Sequence, residues 1–268
     1  MSDALHPPPV PAVLRLVQGV VAGRWRATGE GLYRELARTI AAAPGRDVLV
    51  VGAGEGVTAE WLAVRTGANL VAVDEDAERV ERAERRRRAS RTPGPISVER
   101  APLTDLPHEN AVFDAVIAEP PLLSASDVGR AMGEAVRVLK PLGTLVLLQP
   151  TWTSEIGEAT RELLVQRLGL RPLFVVELKQ LMREAGIVEI QVQDWSDGAG
   201  SRATGSHPII SPRLSLPQKM HIVGRAWRRG WREARSALER ETQLLADLSR
   251  ERALGFHLMS GVKWPHDR

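Results

Sequence analysis

The residues best suited to chemistry are Gly52-Ala53-Gly54-Glu55-Gly56, which can hold a ligand on bare main chain. Without a Cβ, glycine lets the backbone turn sharply and lets a ligand approach it closely. The turn follows an apolar run, Val48-Leu49-Val50-Val51, and a helical pattern begins at Thr58. A helix starting there aims free N–H groups and the positive end of its dipole at whatever the glycines hold. Eighteen residues past Gly56 stands Asp74, closing a second apolar run, Asn69-Leu70-Val71-Ala72-Val73. An acid about 20 positions beyond such a turn is placed to accept hydrogen bonds from both hydroxyls of a ribose. The chemistry indicated is nucleoside recognition. The plainer alternative is a strand–turn–helix with an exposed Asp at a strand end.

Candidate bases are fewer. Glu119 precedes Pro120-Pro121 at the end of an apolar run, and His207 and His221 lie in the last third of the chain. His108, in a turn, is expected to be exposed. Tyr33, the only tyrosine, could line a pocket or simply pack. Arg85-Arg86-Arg87-Arg88 could bind phosphate, but cations at the end of a sparsely apolar helix read as a solvated face. With no cysteine there is no disulfide framework, thiolate nucleophile or zinc–thiolate site, and no metal site is expected.

These residues need elements to position them. An uninterrupted aliphatic run before a glycine turn reads as a strand buried on both faces of a parallel sheet. After a proline-rich lead, two amphipathic helices are expected, one ending near Gly29 and one from about Gly31 to Ala43. Strands are then expected at 48–51, 69–73, 96–98, 112–118 and 144–148, separated by helices at 58 onward, 76–90 and 126–139. Strands alternating with helices in this way make a doubly wound sheet with right-handed crossovers.

Four blocks carry a resemblance: DVLVVGAGEG, LVAVDED, LPHENAVFDAVIAE and AVRVLKPLGTLVLL. In this order, over roughly residues 45–150, they resemble the successive motifs of class I S-adenosylmethionine-dependent methyltransferases, nearest to the ubiquinone/menaquinone and related small-molecule branch. The resemblance implies that Gly52, Ala53, Gly54, Glu55 and Gly56 face the methionine part of the cofactor. It implies Asp74, with Glu75 beside it, at the ribose and Leu103 along the adenine. Glu119 would sit at the mouth where the methyl group is presented. Three positions depart from the pattern. Val50 and Pro102 stand where the family often has acids, and Leu142 replaces a glycine in Pro141-Leu142-Gly143. Losing the acid at Pro102 removes a side-chain acceptor for the adenine amino group. Glu55 or Glu119 could replace the missing carboxylate near the cofactor's ammonium group.

In the last third, helices are expected at 158–168 and 173–185, and Ile187 to Gln193 alternates as a sixth strand. The fold implied by the resemblance needs a seventh strand returning antiparallel, and Gly255 to Val262 is the candidate. The expected architecture is thus α/β: a doubly wound seven-stranded sheet, last strand antiparallel, with two N-terminal helices and a helical insertion between strands six and seven. The segments are 1–44 (lead and cap helices), 45–194 plus 254–264 (cofactor-binding domain) and 195–253 (insertion). A long helix from Gln218 to about Ala253 would span up to ~50 Å if unbroken. It could lie across the sheet as a lid, pair with a second copy as a homodimer, or rest on a membrane surface.

Composition sets the remaining bounds. Of 268 residues, 43% are hydrophobic and 26% charged, an ordinary globular chain. A net charge of +3 is too small a surplus to argue for nucleic acid. No signal peptide or membrane-spanning run is present, so a cytoplasmic setting is expected. The expected function is S-adenosylmethionine-dependent methyl transfer to a small-molecule acceptor, which could be hydrophobic, with O-, N- and C-methylation all open. The alternatives are a degenerate binding or scaffold protein and a nicotinamide-dependent oxidoreductase. The latter would usually want GxGxxG, where Val57 stands in place of the last glycine.

Overall fold

The apolar runs become the middle of one sheet. The computed structural model describes residues 30–90, 92, 94–159, 161–162, 165, 171–195 and 254–265. The expected first helix, the long-helix insertion and part of the 158–168 helix lie outside the described residues. Helix α1 (Glu30–Thr39) precedes strand β1 (Asp47–Val51). Then come α2 (Val57–Thr66), β2 (Asn69–Asp74), α3 (Ala77–Ala89), β3 (Ile96–Arg100) and β4 (Phe113–Ala118). A 3₁₀ turn (Pro120–Ser124) leads to α4 (Val128–Arg137) and the long β5 (Leu139–Trp152). The short β6 (Leu173–Phe174), α5 (Val175–Glu184), β7 (Ile187–Asp194) and β8 (Leu254–Lys263) complete the order.

The sheet runs β3-β2-β1-β4-β5-β8-β7, with β6 pairing only with β5. Strand β1 is parallel to β2 on one side and to β4 on the other. Because β1 is covered on both faces, its aliphatic residues are all buried but belong alternately to two cores. Val48 and Val50 pack with Leu36 of α1, with Ile40 just after it and with Leu62 of α2. Leu49 and Val51 pack with Met132 of α4 and with Leu178 and Met182 of α5. Val50, where the resemblance implies an acid, is fully buried in the first of these cores. Strand β8 runs antiparallel to both β5 and β7, as the returning last strand should.

Three boundaries shift for physical reasons. Helix α4 is capped by Asp127, whose carboxylate accepts the Arg130 N–H at 2.9 Å, rather than by Ser126. Leu173 and Phe174 form a strand, not a helix start, because β5 outruns β4 and its tip needs a neighbour; β6 pairs there with Thr151 and Trp152. Strand β5 begins at Leu139 and reaches its regular register at Thr144 only after a bulge. Leu142 lies in that bulge, at the opposite end of the sheet from the glycine turn. At the same end Lys263 of β8 donates to the carbonyls of Val136 (2.7 Å) and Leu139 (2.6 Å), a cation closing the end of α4. Among the described residues no helix is long and apolar enough to cross a membrane.

Candidate functional site

All parallel strands end on the same side of the sheet, and the crossovers reverse direction between β1 and β4. Ligands of such sheets bind in the crevice at that reversal. The chain leaves β1 through Gly52, Gly54 and Gly56, whose φ angles are 68°, 56° and 73°. Those are left-handed values that glycine adopts without strain, so the turn requires the residues it has. Ala53 N–H donates to Val73 O at 3.0 Å and Gly54 N–H to Asp74 Oδ2 at 2.7 Å, locking the turn to the tip of β2. Gly56 caps α2 without a side chain to offer, leaving the first-turn N–H groups to serve a ligand.

Asp74 is only 2% exposed. Besides the Gly54 N–H, its carboxylate accepts the Asp76 N–H at 3.0 Å and Arg79 Nε at 2.9 Å. Arg79 thus lies against the acid that the sequence places at the ribose. Glu75, the next residue, is exposed, and its Oε1 accepts the Leu103 N–H at 2.9 Å. The turn is braced from α3 as well. Arg82 pairs with the Glu55 carboxylate at 2.9 Å, and Arg86 Nε donates to Glu55 O at 3.0 Å while its NH1 meets Glu60. Arg86, expected on a solvated face, is a strut of the glycine turn; Arg87 pairs with Glu84 and Arg85 with Glu81.

Glu119 lies at the reversal itself. Its N–H donates to Val51 O at 2.9 Å, its carboxylate accepts the Thr58 hydroxyl from the first turn of α2, and it is 2% exposed. Behind it stands Gln149 of β5, fully buried, whose Nε2 donates to the carbonyls of Ala118 and Glu119, each at 2.9 Å. Where β4 stops, those carbonyls lose their strand partner, and Gln149 replaces it. Gln149 Oε1 has no hydrogen-bond partner among the described residues.

A second polar row crosses β5, β8 and β7. Thr151 Oγ1 lies 2.6 Å from His257 Nδ1, with both side chains buried, and His257 Nε2 lies 3.8 Å from Asp194 Oδ1 at the end of β7. Burial pushes the His257 imidazole below its ordinary pKa, with the Asp194 charge acting in the opposite sense. The only signal in the sequence is a histidine and a threonine inside apolar strands, and nothing there brings them together. His108 is not free in solvent: its ring meets Phe113 edge-on at 5.0 Å and its Nε2 lies 3.4 Å from Glu99. Tyr33 packs, stacked on Trp61 at 5.4 Å. His207 and His221 lie outside the described residues.

Residues 49–147 match the family described as a methyltransferase domain. The chain is 28% identical over 152 residues to the sarcosine/dimethylglycine N-methyltransferase of Halorhodospira halochloris, covering 56% of this chain and 54% of that protein. It is 31% identical over 109 residues to the ubiquinone/menaquinone biosynthesis C-methyltransferase UbiE of Geotalea daltonii, covering 40% and 46%. The chain therefore spans about half the length of these relatives. Among solved structures, a phosphoethanolamine N-methyltransferase 2 from Haemonchus contortus superposes with a TM-score of 0.71 at 16% identity, covering 97% of this chain and 62% of that one. Over residues 49–147 the chain thus matches a methyltransferase domain, in a fold it shares with that solved methyltransferase.

Proposed function

We propose that this chain transfers the methyl group of S-adenosylmethionine to a small-molecule acceptor. One observation carries the reading: three left-handed glycines, an uncapped helix start and Asp74 are tied into one unit by the Gly54 N–H to Asp74 bond. The residues fit the cofactor along the strand order. Main chain at the tip of β1 would take the methionine part and Asp74 on β2 the ribose. The base would then fall beyond, between the ends of β2 and β3. Arg79 would have to yield its place on Asp74 to the ribose hydroxyls.

The cofactor supplies a sulfonium that already carries its leaving group. The protein's task is then to align the acceptor and keep water out. Glu119, His207 and His221 are the candidates for taking a proton from an acceptor that needs a base. Glu119 is held at the crevice by Thr58, on the side toward β5. Asp194 and Leu254, where the 195–253 segment leaves and re-enters the sheet, both lie at the ligand end.

Calorimetric titration of the full chain with S-adenosylhomocysteine and with NADH tests the reading. Saturable one-to-one binding of the first and none of the second is expected. No binding of S-adenosylhomocysteine would overturn it.

A further inference from the structure

Glu75 and Leu103 meet at the end of the sheet where the strand order puts the nucleoside base, on the β3 side of Asp74. Ala101 N–H donates to Asp74 O at 3.3 Å, so the 101–103 loop continues the β2–β3 pairing past the strand ends. Leu103 N–H then points at the Glu75 carboxylate, at 2.9 Å. Between them in sequence, Pro102 has neither a side-chain acceptor nor an N–H. We propose that Glu75 reads the 6-amino group of the cofactor's adenine, with Leu103 N–H as its partner donor. This rests on the cofactor reading above.

Adenine's pairing edge presents one acceptor, N1, beside one donor, the 6-amino group. A backbone N–H beside a carboxylate is the complement of that edge. In the free chain the two groups satisfy each other. The base inserts by opening one hydrogen bond and making two, the new one to Glu75 charge-assisted. Glu75 is free to swing because its side chain is exposed, while its own carbonyl is held by Arg100 Nε at 3.1 Å. A hypoxanthine edge reverses both groups, with N1–H a donor and the 6-oxo an acceptor. It would set an oxygen against the carboxylate and a proton against the Leu103 N–H.

The test titrates S-adenosylhomocysteine and S-inosylhomocysteine into the full chain and into Glu75→Ala, Glu75→Gln and Gly54→Val. Wild type should prefer the adenosyl compound by about 100-fold, the scale of one charge-assisted bond gained and one repulsion avoided. Glu75→Ala should lose about tenfold on the adenosyl compound, reducing the preference to about the tenfold that the Leu103 N–H still supplies. Glu75→Gln, whose amide oxygen can still accept, should keep part of it. If wild type binds the adenosyl compound, Gly54→Val abolishes that binding and Glu75→Ala still discriminates fully, the role of Glu75 is overturned while the cofactor site stands. If wild type binds neither compound, the cofactor reading falls and this inference with it.

Discussion

At the β3-β2-β1 end of the sheet, the groups available to a ligand are main-chain N–H donors and carboxylates at the strand tips. At the β5-β8-β7 end they are side chains sunk within the sheet: Gln149 and Thr151 are fully buried and His257 is 7% exposed. The first half offers its polar groups through the glycine turn and α2, a main-chain cradle braced by Asp74 on β2 and by Arg82 and Arg86 on α3. The second uses its polar groups to hold itself together where β4 stops short of β5. On the function proposed above, a cofactor that is always the same would suit the first arrangement, and the acceptor would meet the second.

The largest effect expected from this contrast comes from the glycine turn. At Gly54, with φ 56°, Gly54→Val forces a β-branched residue into the left-handed region and puts a side chain where the cofactor would lie. S-adenosylhomocysteine affinity should fall by at least about 100-fold, while the buried sheet, stabilised elsewhere, keeps its circular dichroism and loses about 1–2 kcal/mol. Undiminished affinity would mean that the two halves have been assigned the wrong way round.

Gln149→Leu reverses the pattern. It takes away the donor that serves the Ala118 and Glu119 carbonyls, and a buried unsatisfied carbonyl costs about 1–3 kcal/mol. Urea unfolding should show a loss in that range, with S-adenosylhomocysteine affinity changed less than threefold. A stability-neutral variant would show that Gln149 is not the support described here.

His257 gives a smaller, pH-dependent effect. Its folded pKa is depressed by burial, so the unfolded chain binds the proton more readily. The native state keeps its full stability above the unfolded histidine pKa of about 6.5 and loses it as pH falls from there toward the folded value. The slope attributable to one proton is at most about 1.4 kcal/mol per pH unit. Denaturation midpoints at pH 7.5, 6.5 and 5.5 should fall less steeply in His257→Gln than in wild type. Identical slopes would remove His257 from the account.

These cases also separate what the sequence made legible from what it did not. Strand β1, its glycine turn and Asp74 were readable because burial on both faces, left-handed turns and the spacing to a nucleoside acid are local patterns. The last strand was readable by its place in the topology. Leu173-Phe174 reads as the start of a helix because the cause of its extension is distant: the unpaired tip of β5. Thr151 and His257, 106 residues apart, are brought together only by the β5–β8 register. From sequence, Glu55 reads as a carboxylate for the cofactor and Arg86 as a solvated charge; the bracing of the turn by Arg86 depends on how α3 packs against it. In each case the missing information was tertiary.

Leu142 offers the finest test of the contrast, since it departs from the family pattern at a distance from both ligand-facing regions. It sits in the bulge opening β5 with φ 61° and is 68% exposed. A leucine held left-handed costs about 1–2 kcal/mol, and an exposed side chain recovers little of that by packing. Glycine would relieve the strain but gives the unfolded chain more freedom, which costs about 0.5–1 kcal/mol. Leu142→Gly should therefore stabilise by roughly 0.5–1 kcal/mol in urea unfolding. The neighbouring Gly143 has no such latitude, because a Cβ there would lie 2.8 Å from Lys140 O and 2.7 Å from Leu139 Cδ1. Gly143→Ala should destabilise where Leu142→Gly stabilises. Neither should alter S-adenosylhomocysteine affinity, because the bulge lies at the far end of the strands from the glycine turn; a change in affinity with Leu142→Gly would mean that the two ends of the sheet are energetically coupled.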